Sequence, residues 1–352
     1  MTRIYLIRHA EAEGNLYRVL HGQTNSSVTE MGLEQIKALS RRFEKEQIDE
    51  VYASDLVRTQ ITAKALTEPK GLTLHPDPRF REVKMGDWEG RNFGYLYHWQ
   101  PDLMQVFSQE PASWHVEGAE RYEQYTSRFL QGLTDLAQRH DGQSIAIFSH
   151  GLVMRGALLK LFAGKYPEHM FSLSDNTAVT LLEYQDGQFE IVYLNDNSHL
   201  PPEYSGLARQ THLNSDGTKL DYSLWFQPAK EHPEAYGLLR NQSMEAQNFG
   251  VLAMFHERPV GYVELQPVTD GQTGCLSQFY LLPDYQKPMY ELQLLGYVVF
   301  FCRQQDMKRL QILMKEQLQD YRQFFLDNGF EQTQNVHGET VLEKNIDLYR
   351  FM

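Results

Sequence analysis

Short apolar runs and longer helical stripes alternate through the first 200 residues. Ile4-Tyr5-Leu6-Ile7 is apolar throughout and bounded by charge, the pattern of a strand buried on both faces. Leu33, Ile36, Ala38, Leu39 and Phe43 mark one face of a helix that opens near Thr29, a residue type suited to N-capping. The same reading predicts a strand at Val51-Tyr52-Ala53, a helix over Leu56 to Leu66, and a short strand at Leu72-Thr73-Leu74. A long polar helix follows Gly118, and Ser144 to Phe148 is the clearest buried strand. A helix over Leu152 to Phe162 comes next, then a hairpin from Ala178–Tyr184 and Phe189–Leu194 turning at Asp186-Gly187. Alternation of this kind predicts an α/β fold, a sheet covered by helices.

From Pro201-Pro202 to Gly217 the pattern breaks into Pro, Ser, Asn and Gly, as a linker does. With 352 residues, too many for one ordinary core, this divides the chain into 1–205, a linker at 206–219, and 220–352. In the last segment, strands are predicted at Val251 to Phe255 and Val260 to Leu265, joined by a turn at Glu257-Arg258-Pro259. A strand at Leu276 to Leu281, a helix over Tyr290 to Arg303 and a strand at Leu310 to Met314 follow. A helix over Asp320 to Asn328 and a closing strand at Glu339 to Lys344 complete it.

Charge narrows the function. Thirty-three Lys and Arg against 46 Asp and Glu give a formal net charge of −13. That argues against nucleic acid or an anionic membrane as partner, yet leaves room for a small anion in a locally positive pocket. Only Cys275 and Cys302 occur, so a disulfide framework or a cysteine zinc site is not expected, and a reducing, cytoplasmic setting is. The longest apolar run, near Leu294 to Phe301, is short beside the roughly 18–20 residues of a membrane span. Charge at Arg3 and Arg8 comes too early for a secretory leader. Composition says nothing about oligomeric state.

The chemistry gathers at predicted strand ends. Arg8-His9-Ala10 closes the first strand and Ser149-His150-Gly151 closes the strongest later one. Ligands of open α/β sheets bind outside the carboxyl ends of strands, so two histidines so placed can face one crevice. Either histidine alone is more often a satisfied core residue; the shared topology is what favours a site. Ser54-Asp55-Leu56-Val57-Arg58-Thr59 also follows a strand, and puts Arg58 near the first turn of its helix. An arginine offers a planar, permanently charged fork suited to phosphate oxygens. Two arginines and two histidines at one sheet edge make a pocket for a dianion.

These motifs resemble the histidine phosphatase, or phosphoglycerate mutase-like, superfamily over about residues 1–200. The resemblance is carried by Arg8-His9-Ala10-Glu11 with Asn15, Ser54-Asp55-Leu56 with Arg58, Arg81-Glu82 with Trp88-Glu89-Gly90, and Ser149-His150-Gly151. Asn176-Thr177-Ala178 and Leu194-Asn195-Asp196 with His199-Leu200 fit the closing strands. It implies a three-layer α/β/α sandwich and a phosphomonoesterase working through phosphohistidine on His9, without metal or cofactor. Arg8, Arg58 and His150 would hold the phosphoryl oxygens, with Asn15 and the backbone at Gly151 as further donors. Glu82 would protonate the leaving alcohol and then activate water. Departures are Ala10 for the usual Gly, Ala12 where Thr is frequent, and His21 where Gln is frequent. His21 either binds substrate or packs. The partner implied is a small phosphorylated substrate.

Between Trp88 and Gly118 lie Phe93, Tyr95, Tyr97, Trp99, Phe107 and Trp114, read as an aromatic lid or a plain hydrophobic roof. This segment is short where a mutase carries a longer, more basic insertion, which favours net hydrolysis. Residues 220–352 resemble, more weakly, the GNAT acetyltransferase fold, a smaller α/β domain. The pieces are Val260-Gly261-Tyr262-Val263, Phe279 to Tyr285 with Gln293-Leu294-Leu295, and Asn328-Gly329-Phe330. Gln286-Lys287-Pro288-Met289-Tyr290-Glu291 stands where a Gly-rich pyrophosphate turn is usual; Pro288 has no N–H and Glu291 repels an anion. Phe325 takes the place of a frequent tyrosine acid, and Leu318 of a usual Asn. The implied domain is degenerate, with a binding or structural role. A bifunctional phosphatase/acyltransferase, a mutase-type phosphotransferase and a non-catalytic phosphate-ligand sensor stay open as alternatives.

Overall fold

The computed structural model describes residues 1–110, 112–171, 174–209, 223–240, 249–267, 271–334 and 340–352. The first part runs β1 (Thr2–Arg8), α1 (Glu13–Tyr17), α2 (Glu30–Arg42), β2 (Glu50–Ala53), α3 (Val57–Lys70) and β3 (Leu74–Pro76). It continues with α4 (Phe93–Trp99), α5 (Pro101–Gln109), α6 (Tyr122–Arg139), β4 (Ser144–Ser149), α7 (Gly151–Leu161), β5 (Val179–Gln185) and β6 (Gln188–Asp196). The later part holds α8 (Gly206–Arg209), β7 (Trp225–Pro228), α9 (Pro233–Arg240), β8 (Phe249–Phe255), β9 (Arg258–Pro267) and β10 (Thr273–Leu281). Then come α10 (Pro288–Gln304), β11 (Arg309–Leu313), α11 (Arg322–Asp327), β12 (Glu331–Gln334) and β13 (Thr340–Asn345).

The first sheet has the order β3-β2-β4-β1-β5-β6. β1, β2, β3 and β4 run parallel, while β5 and β6 are antiparallel. Because side chains alternate along a strand, each central strand serves two cores. Ile4, Leu6, Ile145 and Ile147 pack toward α6 and α7 with Phe129, Leu133 and Val153. Tyr5, Ile7, Ala146 and Phe148 pack toward α2 and α3 with Leu39, Phe43 and Leu66. The result is helices on both faces of the sheet, and it brings the carboxyl ends of β1, β2 and β4 to one edge. Thr29 caps α2, its hydroxyl accepting from Gly32 N at 3.0 Å.

The second sheet has seven strands in the order β12-β13-β11-β10-β9-β8-β7. β10 and β11 are its parallel pair, linked by α10; that pairing ends at Leu276 with Ile312 although β10 runs on to Leu281. α10 packs its Leu294, Leu295, Val298 and Val299 on this sheet. Among the described residues no helix is long and apolar enough to cross a membrane.

Three local expectations shift. The strand expected at Leu72-Thr73-Leu74 lies at Leu74–Pro76, because α3 runs past Pro69 and closes in a Schellman turn. There Gly71 has φ 64°, Gly71 N bonds Glu68 O and Leu72 N bonds Thr67 O. The β8–β9 turn sits at His256-Glu257; Arg258 and Pro259 belong to β9, Pro259 standing where the register slips and no ladder N–H is needed. The helix expected over Asp320 to Asn328 is a 3₁₀ turn over Glu316–Tyr321 followed by the shorter α11. Of the expected linker at 206–219, α8 is helical and 210–219 lie outside the described residues.

Candidate active site

Parallel registration of Arg8 with Ser149 sets the two histidines side by side as their strands end. His9 N donates to Ser149 O at 3.0 Å, and the His9 and His150 rings stand 5.2 Å apart between centroids. Both are buried. His9 Nδ1 lies 2.7 Å from Ala10 O; a carbonyl only accepts, so Nδ1 carries the hydrogen and Nε2 keeps its lone pair. Asn176 steadies the same turn, donating from Nδ2 to His9 O at 3.0 Å.

Arg58 reaches the site from the first turn of α3 and is buried. Its Nε donates to His150 Nδ1 at 3.2 Å, Nη1 to Thr24 O at 3.0 Å and Nη2 to Gly22 O at 2.8 Å. Accepting at Nδ1 obliges His150 to carry its proton on Nε2, an atom that is buried with no partner among the described residues. Arg8 donates from Nη1 to Ser174 O, while its Nε is likewise buried and unpartnered. Gly151 makes room for this guanidinium, since a Cβ there would lie 3.2 Å from Arg8 Nε. His21 adds another such nitrogen: Nδ1 pairs with Ser26 Oγ at 2.7 Å and Nε2 has no partner among the described residues.

The electrostatics favour neutral imidazoles among fixed cations. Burial, then Arg58 and Arg8, hold His9 well below the usual histidine value; burial, Arg58 and His9 do the same to His150. Burial and then Arg58 bring His21 down to about 3. Burial lowers Arg58 to about 10, which leaves it cationic at neutral pH. Arg8 is lowered by burial as well, with Glu82 and Asp175 acting in the opposite sense.

Glu82 faces the amino end of α7, accepting from Val153 N at 2.8 Å, Leu152 N at 3.2 Å and Val83 N at 3.0 Å. Arg128 braces its segment by donating to the carbonyls of Arg79, Arg81 and Glu82. Asn15, exposed on α1, turns its Oδ1 to Ala12 N at 3.1 Å, which leaves its amide N–H groups to donate. The eight residues singled out in the sequence therefore come from six places along the chain, at 8–9, 15, 21, 58, 82 and 150–151. Missed were Thr24 and Gly22, whose carbonyls aim Arg58, and Glu89, which accepts from Gln23 N, Met85 N and Thr24 Oγ1. Backbone acceptors leave no residue-type signal; Glu89 had one, its place in Trp88-Glu89-Gly90. Among the described residues no three His, Cys, Asp or Glu side chains cluster as metal ligands.

Much of the aromatic segment after Trp88 is packed against the rest of the chain. Trp114 is buried against Trp88 and Phe107, at 5.2 and 5.1 Å between centroids. His98 stacks on Trp225 of the second sheet at 4.4 Å, and a Cβ on Gly94 would strike Leu224 O.

Comparison with known proteins places the first part of the chain in a family. Residues 4–197 match the family model of the histidine phosphatase superfamily, branch 1. The chain is 26% identical over 204 residues to phosphoserine phosphatase 1 of Hydrogenobacter thermophilus, covering 58% of this chain and 97% of that one. It is 29% identical over 188 residues to "Probable phosphoglycerate mutase GpmB" of Yersinia pestis, covering 53% of this chain and 86% of that one. The structure of Bacillus stearothermophilus YhfR superposes with a TM-score of 0.53 at 27% identity, over 56% of this chain and 99% of that one. The family match ends at residue 197 and does not extend to the second sheet. By its first 200 residues, then, the chain belongs to the histidine phosphatase superfamily.

Proposed function

We propose that the chain hydrolyses small phosphomonoesters through a phosphohistidine on His9. One observation carries the reading: a neutral imidazole with its Nε2 lone pair free stands beside Arg8 Nε and His150 Nε2, buried donors without partners among the described residues. Such donors are costly to bury unsatisfied, and phosphoryl oxygens would satisfy them. In the reaction, His9 Nε2 attacks phosphorus as the ester P–O bond breaks, and Glu82 gives its proton to the departing oxygen. Arg8, Arg58 and His150 stabilise the charge spread over the equatorial oxygens. Water then attacks phosphorus, Glu82 takes its proton, and the P–N bond breaks to return neutral His9. O-phosphoserine is the first substrate to test, because a relative bears its name.

Rapid acid-free quenching of a reaction with labelled p-nitrophenyl phosphate or phosphoserine should trap an acid-labile phosphoprotein, absent in His9→Ala. Equal phosphate release by wild type and His9→Ala on both esters would sink the proposal and favour a sensor. A phosphotransferase is the second reading, supported by the mutase-named relative. Phosphorus NMR with a phosphoglycerate decides between them: free phosphate supports hydrolysis, an isomerised ester the transfer.

For residues 220–352 we retain the proposal of a degenerate GNAT-like domain with a structural or binding role. Pro288 begins α10 without an N–H, Glu291 is buried in its first turn, and Leu318 and Phe325 are buried. Micromolar binding of acetyl-CoA in calorimetry would overturn this and restore the bifunctional reading.

A further inference from the structure

The residues around His9 all precede residue 200, yet α1 and His21 among them pack against residues after 290. α1, which bears Asn15, has only five residues and cannot hold its shape by helix propensity. It is held instead by α10. A Cβ on Gly296 would strike Tyr17 Cβ, so the two helices touch almost backbone to backbone.

Glu13, the first residue of α1, has a side chain only 2% exposed. A carboxylate so buried is costly unless paired. Arg303 donates to both its oxygens, through Nη1 and, at 2.7 Å, Nη2; Arg350 Nη2 adds a third bond at 3.1 Å. Burial alone would raise the Glu13 carboxyl, but these guanidinium groups outweigh it and hold it below its usual value. Arg303 is itself fixed, donating from Nε to Ile346 O at 2.6 Å. Glu13 also accepts from Ser27 N at 3.2 Å, next to the Ser26 hydroxyl that holds His21. Phe300 sets its ring against His21 at 5.1 Å and 74°, and against Tyr17 at 6.3 Å. Farther on, Leu348 and Phe351 pack with Ala10, which follows His9, and with Val57 and Ile61, which flank Arg58 along α3.

From these contacts we infer that the C-terminal part is the back wall of the phosphoryl pocket, with Phe300 and Arg303 as positioning residues that set His21 and the Asn15 helix. This rests on reading the His9 pocket as a phosphoryl site. Neither residue touches the reacting atoms; Arg303 acts through Glu13, and Phe300 through the His21 ring. A passive cover would lose stability when altered and leave anion recognition intact. A positioning wall loses recognition while the chain stays folded.

The test uses full-length Phe300→Leu, Phe300→Ala, Arg303→Met and Arg303→Lys. Folding is checked by near-UV dichroism, inorganic phosphate affinity by calorimetry, and kcat and KM with p-nitrophenyl phosphate. Phe300→Ala and Arg303→Met should weaken phosphate binding and lower kcat/KM about tenfold, as small misplacements do. Arg303→Lys should recover part of the loss, and Glu13→Gln added to Arg303→Met should cost nothing more, since both act through one pair. Folded variants whose phosphate affinity and kcat/KM stay within about twofold of wild type would overturn the inference, since changes that small are what uncoupled sites show. Should Arg303→Met fail to fold, Phe300→Leu, which keeps an apolar side chain, decides by the same two readings. A wild type that binds phosphate but hydrolyses nothing sinks the hydrolase reading alone, and affinity still decides the wall. A wild type that neither binds nor hydrolyses sinks both.

Discussion

The two sheets each send a strand into a helix, β4 into α7 and β10 into α10, and the two helix starts differ in the groups that surround them. At α7 the backbone N–H groups of Leu152 and Val153 meet the Glu82 carboxylate, with Arg8 and His150 alongside. Donors there remain unpartnered and buried. At α10 the first residue is Pro288, the first turn carries buried Glu291, and Gln293 Oε1 is taken by Leu224 N at 2.8 Å. One helix start has Arg8 and His150 beside it; the other opens on a proline and a buried carboxylate. Architecture is shared and chemistry is not, so function follows the residues at the strand ends.

Four experiments would break or sharpen that contrast. Arg58→Met should lower kcat/KM a hundred- to roughly thousandfold, because it removes a transition-state charge, whereas Lys287→Met at the other helix start should change nothing. Comparable losses in both would erase the distinction. Glu82→Gln should cost roughly a hundredfold on phosphoserine but only a few-fold on p-nitrophenyl phosphate, whose leaving group needs no proton. Equal losses on the two esters would remove Glu82 from the acid role.

The third concerns pH. His21 lies at about 3 in the folded chain, well below the ordinary histidine value of 6.5. The unfolded chain therefore takes up a proton below 6.5 that the folded chain refuses, so stability is full above 6.5 and lost as pH falls. Between pH 6.5 and 5 this amounts to at most about 2 kcal/mol, and His21→Gln should abolish that share of the slope in urea melts. A slope unchanged by the substitution would contradict a buried neutral imidazole. The smallest effect belongs to Glu291, whose carboxyl burial pushes upward. Stability there is full below the unfolded carboxyl value and lost as pH rises through the folded one. Glu291→Gln should thus stabilise slightly at pH 7 and not at all near pH 4. Equal melting shifts at both values would refute it.

The elements legible in the sequence are those with a strong burial period. β1 and β4 are apolar on both faces and α2 is striped, and the site residues were legible because each follows such a strand. β12, with the sequence Glu-Gln-Thr-Gln, escaped notice because an edge strand paired only to β13 needs no apolar face. β7, carrying Pro228, is equally an edge. The stretch from Phe93 to Trp114 suggested a lid, since aromatic residues signal burial without naming the surface they bury against; Phe93, Phe107 and Trp114 pack with the Trp88 core, Trp99 stands against Trp225, and Tyr95 joins both. The bond of Glu13 to Arg303 spans 290 positions, beyond any local pattern.

The pairing of β1 has a consequence for how the molecule comes into being. Its neighbours are β4, beginning at Ser144, and β5, ending at Gln185, so the strand that leads into His9 emerges from the ribosome long before either ladder can form. Until then it is an unpaired greasy segment, exposed to chaperones and to aggregation. The same long-range closure makes folding slow.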